Sequence, residues 1–254
     1  MPTPFMHLQV AEQIRAHPDL PAEVAACLDA HWPAFYLGNV AADFQTISAT
    51  PREVAHFYRL PPTPGVEAYE EMLRRHPELA SSAHLASAHA VFIAGYLAHL
   101  LLDLRWYWEV LVPYFVEAEG WPADHRERFL AHNILLTYLD NLASGSLPAD
   151  AGAILAQAQP HRWLPFAGDG DLIRWRDMLS DQLRPGATTK TILIYAGRMN
   201  MAPDALKERL DDAEWMEEQV FRRVPLEAVQ DTLTKGVESS VQLVKHYLSG
   251  APIT

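Results

Sequence analysis

The hydrophobic pattern of the chain is that of successive helices. Apolar residues recur at spacings of three and four along most of its length, and proline-rich joints separate these runs. The pattern predicts an all-α protein, a multi-helical bundle around one buried central helix. No run alternates apolar and polar residues clearly enough to predict a strand. Helices are predicted over 7–17, 21–31, from Thr50-Pro51-Arg52-Glu53 onward, over 67–75, and from about 120 to 145.

The predicted central helix begins after His76-Pro77 and includes the stretch from Val91 to Glu109. This stretch is dense in leucine, alanine and aromatic residues and has no internal proline, so it should be buried on most sides. One of its faces is small enough to let a neighbouring helix come close. That face consists of Ala83, Ser87, Ala90, Ala94 and Ala98.

Three other segments complete the predicted architecture. The apolar, glycine-containing segment Trp32–Gln45 is predicted to be mostly loop, and its aspartate at position 43 suggests a carboxylate delivered into the interior. Residues 147–184 are predicted to form short helices and loops because prolines and glycines interrupt them. Residues 203–248 are predicted to form two amphipathic helices that are split near Pro225.

Composition and charge exclude several classes of protein. The chain has 254 residues, of which 49% are hydrophobic, so it can bury a substantial core, yet no segment comes near the roughly twenty consecutive apolar residues of a membrane helix. Its formal net charge of −12 opposes binding to a nucleic-acid duplex. The N-terminus lacks the pattern of a secretory signal, so a cytoplasmic protein is expected. Cys27 is the single cysteine, so any metal must rest on histidine, aspartate and glutamate.

The central helix carries two polar residues in an otherwise apolar segment. His99 and Asp103 are four residues apart, so they share one face and project together into the interior. An unpaired imidazole or carboxylate would be costly to desolvate there. The pair forms either a buried hydrogen bond that stabilises the core or part of a divalent-cation site. Taken alone, the pair favours the hydrogen bond.

Further potential ligands are scattered along the first 140 residues. Each has an ordinary structural alternative: a lone histidine is more often a surface, capping or helix-lining residue, and an aspartate often caps the segment that follows it. The candidates are His7, Asp43, His56, Glu109 and His132, and Asp140 is a further one.

The spacing His7…Gly38-x4-Asp43…His56…Gly95-x3-His99-x3-Asp103 resembles that of the zinc-dependent phospholipase C family. The resemblance covers roughly the first 140 residues. It implies that Asp43, His56, His99 and Asp103 hold one zinc ion, and that Asp103 bridges to a second ion held by His7. For a third ion it implies Glu109 and His132, with Leu136 where the family has its last acid.

The resemblance also implies an activity, the hydrolysis of phosphodiesters by a metal-activated water that attacks phosphorus. Asp43 would lie near that water as the catalytic carboxylate. The implied cofactor is one to three zinc ions, with other divalent metals possible, and the implied partner is a small-molecule or lipid phosphodiester rather than a nucleic acid. The aromatic residues Tyr36, Phe44 and Tyr58 flank the ligands and are candidates for the wall of a head-group pocket.

A second function of a different class stays open. Secreted members of the family begin with a tryptophan that ligates zinc, and this chain has Met1-Pro2 there instead. This departure favours a catalytically silent helical binding protein that keeps a structural metal, or none, on the same scaffold. In either case the chain is expected to form a single domain over residues 1–254. A metal-site part would span 1–145 and a helical C-terminal part 146–254.

Overall fold

The computed structural model describes residues 1–121, 125–187, 189–251 and 253. Within these ranges the chain is helical and contains no β-strand, which confirms the predicted all-α class. The first seven α-helices are α1 (Pro4–Arg15), α2 (Ala22–Ala30), α3 (Trp32–Ala41), α4 (Arg52–His56), α5 (Ala68–Arg75), α6 (Ser87–Trp106) and α7 (His125–Ser146). They are followed by α8 (Ala151–Ala156), α9 (Asp169–Gln182), α10 (Thr191–Arg198), α11 (Pro203–Asp211), α12 (Ala213–Met216) and α13 (Leu226–Leu248).

Helix α6 is the buried centre of the fold. It continues without a break into a π-helix, Tyr107–Val116, that contains Pro113. The helix begins at Ser87, because the segment after His76 first forms two short 3₁₀ turns, Pro77–Leu79 and Ser82–His84. Most residues of α6 are buried, which agrees with its predicted central place.

This long helix corrects one expectation from composition. Among the described residues, Ser87–Val116 is long and apolar enough to cross a membrane, so the statement that no segment approaches that requirement was wrong. However, 83% of its most apolar window is buried inside the protein. Burial of this extent is typical of a core helix, whose apolar surface is already covered by neighbouring helices.

The prediction that Trp32–Gln45 is mostly loop was wrong. Residues 32–41 form helix α3, and Ala42–Thr46 follow as a 3₁₀ helix. Helix α3 packs closely against α6 at two glycines. A Cβ atom added to Gly38 would lie 2.1 Å from the carbonyl oxygen of Phe92, and one added to Gly95 would lie 2.5 Å from that of Phe35. Tertiary packing of an almost wholly apolar segment therefore decides its conformation.

Replacing Gly38 by alanine is expected to destabilise the protein by about 3 kcal/mol or more, because neither backbone can move away from the new methyl group without disturbing the core. Urea unfolding followed by circular dichroism measures the effect. Gly145→Ala is the matched control: this glycine lies near the exposed end of α7, and its added Cβ meets open space. The control should be neutral or stabilising by up to about 1 kcal/mol. Equal stability of the two variants would contradict the close approach.

The C-terminal part packs on the same core. Helix α13, an amphipathic helix as predicted, lies against α6 and α1. Residues 147–184 contain the short α8 and also the fourteen-residue α9, a longer helix than the proline and glycine pattern indicated. The predicted start of α7 includes residues 122–124, which lie outside the described residues. Helices α9 and α10 reach back towards the predicted ligands, as described below.

Candidate metal centre

Five predicted ligands from four separate elements meet in the interior. His7 lies on α1, Asp43 on the 3₁₀ helix, His56 at the end of α4, and His99 and Asp103 on α6. Their donor atoms form two groups, one of His7, His99 and Asp103 and one of Asp43, His56 and His99. Within each group the donor atoms all lie within 4.8 Å of one another. His99 belongs to both groups, so the two sets of donors are contiguous.

His99 is held in the tautomer that a metal ligand requires. Its Nδ1 lies 2.8 Å from the carbonyl oxygen of Asn39. Because a carbonyl can only accept a hydrogen bond, Nδ1 must carry the proton, and the lone pair of Nε2 is left facing the other donors. The ring stacks on that of His7, with 3.8 Å between centroids. Both rings are fully buried.

His7 and His56 are neutral at physiological pH. Burial and the neighbouring His99 lower the pKa of His7 to about 4. Burial also lowers the pKa of His56. Since metals bind the neutral imidazole, these environments keep both rings in the ligating form without competition from protons.

The two carboxylate oxygens of Asp103 face different partners. Oδ1 lies 3.5 Å from Nε2 of His7, whereas Oδ2 lies 3.6 Å from Nε2 of His56 and 4.0 Å from Nε2 of His99. Tyr58 and Arg52 donate hydrogen bonds to Oδ2 at 3.0 and 3.2 Å. Burial by itself raises the pKa of Asp103, but His7 and the other histidines outweigh that effect and hold it well below the usual range. Asp103 is therefore ionised, and its two oxygens face histidines of both groups.

Asp43 is the ligand candidate that faces solvent. Its side chain is 21% exposed, and its Oδ1 lies 3.4 Å from Nε2 of His56. Burial raises its pKa, but the contact with His56 and the proximity of His99 outweigh this and lower the pKa to about 2. The carboxylate reaches the interior from one side, as the sequence suggested, although a 3₁₀ helix rather than a loop carries it.

These donors fit a zinc ion by both chemistry and distance. Among the described residues, Nε2 of His7, Nε2 of His99 and Oδ1 of Asp103 are buried without a hydrogen-bond partner, a state that costs about 1–3 kcal/mol for each group. Tetrahedral zinc with ligand distances of about 2.0–2.1 Å separates its ligands by roughly 3.3–3.4 Å. Nε2 of His56 lies 3.4 Å from Oδ1 of Asp43 and 3.6 Å from Oδ2 of Asp103. Nε2 of His99 lies 4.0 Å from the same Asp103 oxygen, so the three separations approach the spacing of zinc ligands.

An open cavity of about 490 Å³ lies over this cluster. Asp43 and His56 line its floor, and Arg52 and Arg198 add positive charge to its wall. The C-terminal part supplies one side of the cavity, namely Trp175 of α9 and Thr191, Ile194, Tyr195 and Arg198 of α10. Trp175 is fixed in place because its indole N–H donates to the carbonyl oxygen of Val40, at 2.7 Å.

The structure separates the two residues predicted for a third ion. Glu109 pairs with Arg105 at 2.6 Å and faces a different groove, which Ser239 also lines. His132 is buried at the edge of the main cavity, where Trp106 donates its indole N–H to Nε2 at 3.2 Å. Because indole can only donate, Nε2 is the acceptor, and His132 would have to bind a metal through Nδ1. The structure thus brings neither residue into the two groups of donors.

The three aromatic residues considered for a head-group pocket lie elsewhere. Tyr36 and Phe44 are fully buried in the core, and the Tyr36 hydroxyl donates to Glu12. Tyr58 donates a hydrogen bond to Asp103 but is not among the residues that line the cavity, and it lines a separate surface depression with Glu53 and Arg75. The cavity wall is consequently built from other residues.

Asp140 is fully buried on α7, where Thr191 donates a hydrogen bond to it, and among the described residues it is outside both donor groups. Burial raises its pKa from 3.8 to about 6, against the opposing effect of Thr191. The native state therefore binds this proton more tightly than the unfolded state does. The stability that the protonated acid contributes is present below pH 4 and is lost as the pH rises towards 6.

We expect Asp140→Asn to remove this pH dependence. Relative to the variant, the wild type should lose on the order of 2 kcal/mol in unfolding free energy between pH 4 and pH 7. Urea unfolding of both proteins at several pH values measures the difference, and subtracting one curve from the other cancels the remaining titrating groups. Parallel curves would contradict a raised pKa for Asp140.

Three polar groups of the site were not foreseen in these roles. In the sequence Arg52 stands out only as part of a helix start, although its position four residues before His56, on the same helical face, is a usable signal. The carbonyl of Asn39 orients His99, and Arg198 enters the cavity from the far end of the chain. No local pattern identifies these two, because their roles depend on how distant helices pack.

Comparison with known proteins agrees with this geometry. Residues 6–145 match the family model described as zinc dependent phospholipase C, which covers more than half of the chain and all five clustered residues. No curated protein and no solved structure gave a match. The extent of the family match and the convergence of the donors show that the chain belongs to the zinc-dependent phospholipase C family.

Proposed function

We propose that this protein hydrolyses phosphodiesters, and lipid phosphodiesters in particular, in a reaction of the phospholipase C type. The observation that carries the proposal is the placement of Asp43 and His56 at the floor of an open cavity, directly above the buried His7, His99 and Asp103. A buried cluster without a cavity would serve stability alone. The cavity reaches two of the five candidate donors, Asp43 and His56, which supports a role beyond stability.

The ligand roles that we propose follow from exposure. His7, His56, His99 and Asp103 are almost completely buried and come from α-helices, so they would hold the metal rigidly. Zinc bound by such donors supplies Lewis acidity towards phosphoryl oxygens and acidifies a bound water at neutral pH. Asp43, ionised and partly exposed, is placed to orient the attacking water and to accept its proton.

The cavity also suits an anionic substrate. Although the whole chain has a formal net charge of −12, the guanidinium groups of Arg52 and Arg198 line this cavity. Guanidinium groups bind phosphate oxygens well because their N–H donors form a planar fork. When water attacks phosphorus, the bond from phosphorus to the alcohol oxygen breaks, and the departing oxygen takes up a proton. The arginines would balance the charge on the phosphoryl oxygens during that step.

The test is the release of a chromogenic alcohol from aryl phosphodiesters and aryl phosphocholine, alongside phospholipid substrates, with zinc supplied. We expect turnover by the zinc-supplied protein and background rates after dialysis against a chelator, with recovery when zinc is restored. Chelator-treated protein that stays folded by circular dichroism is the control. Silence of zinc-loaded protein on the whole panel would defeat the proposal.

A further inference from the structure

One face of helix α10 lines the main cavity. Thr191, Ile194, Tyr195 and Arg198 occupy the i, i+3, i+4 and i+7 positions of this helix, so they lie on one side of it. Thr191 donates a hydrogen bond to the buried Asp140 of α7, and Tyr195 is itself buried, so this face is held in place. Helix α10 lies outside the residues that match the family model, so this wall is a feature of the chain itself.

Arg198 is a cation without an acidic partner. Within the described part of the chain it forms no ion pair and no hydrogen bond, and its side chain is exposed. Its guanidinium carbon lies 5.1 Å from the centre of the Tyr195 ring, one turn earlier on the same face. Arg52, the other arginine of the cavity, is instead engaged at the metal centre, where it donates to Asp103 and Tyr58. The donors of Arg198 are therefore available to a ligand.

The other ionisable side chains of the cavity do not neutralise Arg198. Asp43 is the single carboxylate among the described residues that line the cavity, and it belongs with His56 to the metal donors. Burial lowers the pKa of His132 well below its usual value, and burial raises the pKa of Tyr195, so both rings are neutral at physiological pH. Although the whole chain has a formal net charge of −12, the wall formed by α10 is therefore positive.

This wall is unsuited to a cationic head group. Proteins bind such groups with carboxylates or with the open faces of aromatic rings. The guanidinium of Arg198 already lies over the ring of Tyr195, and Trp175 is only 2% exposed. Phe129 is the one exposed aromatic side chain among the described residues of the lining, and no carboxylate accompanies it there. An oxyanion, in contrast, can accept two parallel hydrogen bonds from the planar fork of Arg198.

We propose that Arg198 selects phosphodiesters whose head group carries an oxyanion of its own, such as a carboxylate, over those with a cationic or neutral head group. This inference rests on the proposed function and names the substrate class more narrowly. The metal donors and Arg52 bind the reacting phosphate, and Arg198 binds the charged group that is attached to it. Arg198 thus determines specificity and takes no part in the cleavage of the bond.

The test measures binding rather than turnover, with three phosphonates that differ only in their terminal group. The terminal group is a carboxylate in 3-phosphonopropionate, an ammonium in 2-aminoethylphosphonate and a methyl group in propylphosphonate. Each is titrated calorimetrically into the zinc-supplied protein. We expect 3-phosphonopropionate to bind at least about tenfold more tightly than 2-aminoethylphosphonate, with propylphosphonate between them, because Arg198 attracts the first terminal group and repels the second.

Two variants and one matched control locate the effect. Arg198→Met removes the charge and should reduce the preference for carboxylate over ammonium about fivefold or more. Arg198→Lys keeps the charge but loses the planar fork, so it should retain part of the preference. Arg184→Met is the control, because Arg184 is exposed, pairs with Asp181 and is not among the residues that line the cavity. The substituted side chains are all exposed, so the variants should fold, which circular dichroism checks.

The outcomes separate this inference from the proposed function. Equal affinity for the three phosphonates, no binding of 3-phosphonopropionate, or an equal effect of Arg198→Met and Arg184→Met would each overturn it. So would an undiminished preference in Arg198→Met, since the carboxylate would then be bound by zinc. If aryl phosphodiesters were nevertheless hydrolysed, the proposed function would stand without it. A preference that Arg198→Met reduces and Arg198→Lys partly keeps supports the inference even where no hydrolysis is detected.

Discussion

Asp103→Asn is expected to abolish stoichiometric zinc binding and to reduce hydrolysis to background. Both carboxylate oxygens of Asp103 face candidate donors, Oδ1 towards His7 and Oδ2 towards His56. The amide keeps the size of the side chain but loses its charge and one acceptor atom. Loss of an outer partner of a metal ligand already costs ten- to hundredfold in affinity, so loss of a shared ligand should cost on the order of a hundredfold or more.

Elemental analysis of protein purified without chelator measures this loss, and the chromogenic assay follows the rate. Asp231→Asn is the matched control, since this aspartate is exposed on α13 and pairs only with Lys235 among the described ion pairs. His99→Ala should behave like Asp103→Asn, because His99 belongs to both donor groups. His84→Ala, an exposed histidine outside those groups, should keep its zinc. Undiminished zinc in Asp103→Asn would disprove the shared centre.

Asp43→Asn is expected to reduce turnover roughly a hundredfold or more while leaving much of the zinc in place. The reason is that Asp43 is partly exposed to the cavity, whereas His56, His99 and Asp103 are buried. His56, His99 and Asp103 remain as three donors on α-helices, with His56 and Asp103 only 3.6 Å apart, so the metal keeps a rigid set of ligands. Among the described residues that line the cavity, no second carboxylate is present to replace Asp43 in the role proposed for it.

The measurement pairs steady-state rates with zinc content for the same preparation. Asp150→Asn, a surface aspartate that precedes α8, controls for the substitution itself. The comparison with Asp103→Asn is decisive. Asp103→Asn should lose zinc and hydrolysis together, whereas Asp43→Asn should lose chiefly its rate of hydrolysis. If Asp43→Asn lost its zinc in proportion to its activity, Asp43 would be a ligand only. If it kept full activity, its role in catalysis would be excluded.

The sequence alone was sufficient for the helical class and for the central pair of candidate ligands. Helical periodicity is local, so the positions of His99 and Asp103 on one face of a buried helix could be predicted without knowing any neighbour. The other three clustered residues followed from a family spacing. In contrast, the same local reasoning assigned Trp32–Gln45 to a loop, because an apolar segment with a glycine has no marked periodicity.

Tertiary structure decided the remaining features, each for a physical reason. The fit of Gly38 and Gly95 against the facing backbone makes residues 32–41 a helix, and that helix brings the Asn39 carbonyl to His99. The ion pair with Arg105 turns Glu109 towards a different groove. The cavity itself is assembled from helices more than a hundred residues apart in the chain. Spacing along one helix thus specifies which donors face inward, whereas access for a substrate depends on packing between distant helices, which local patterns do not encode.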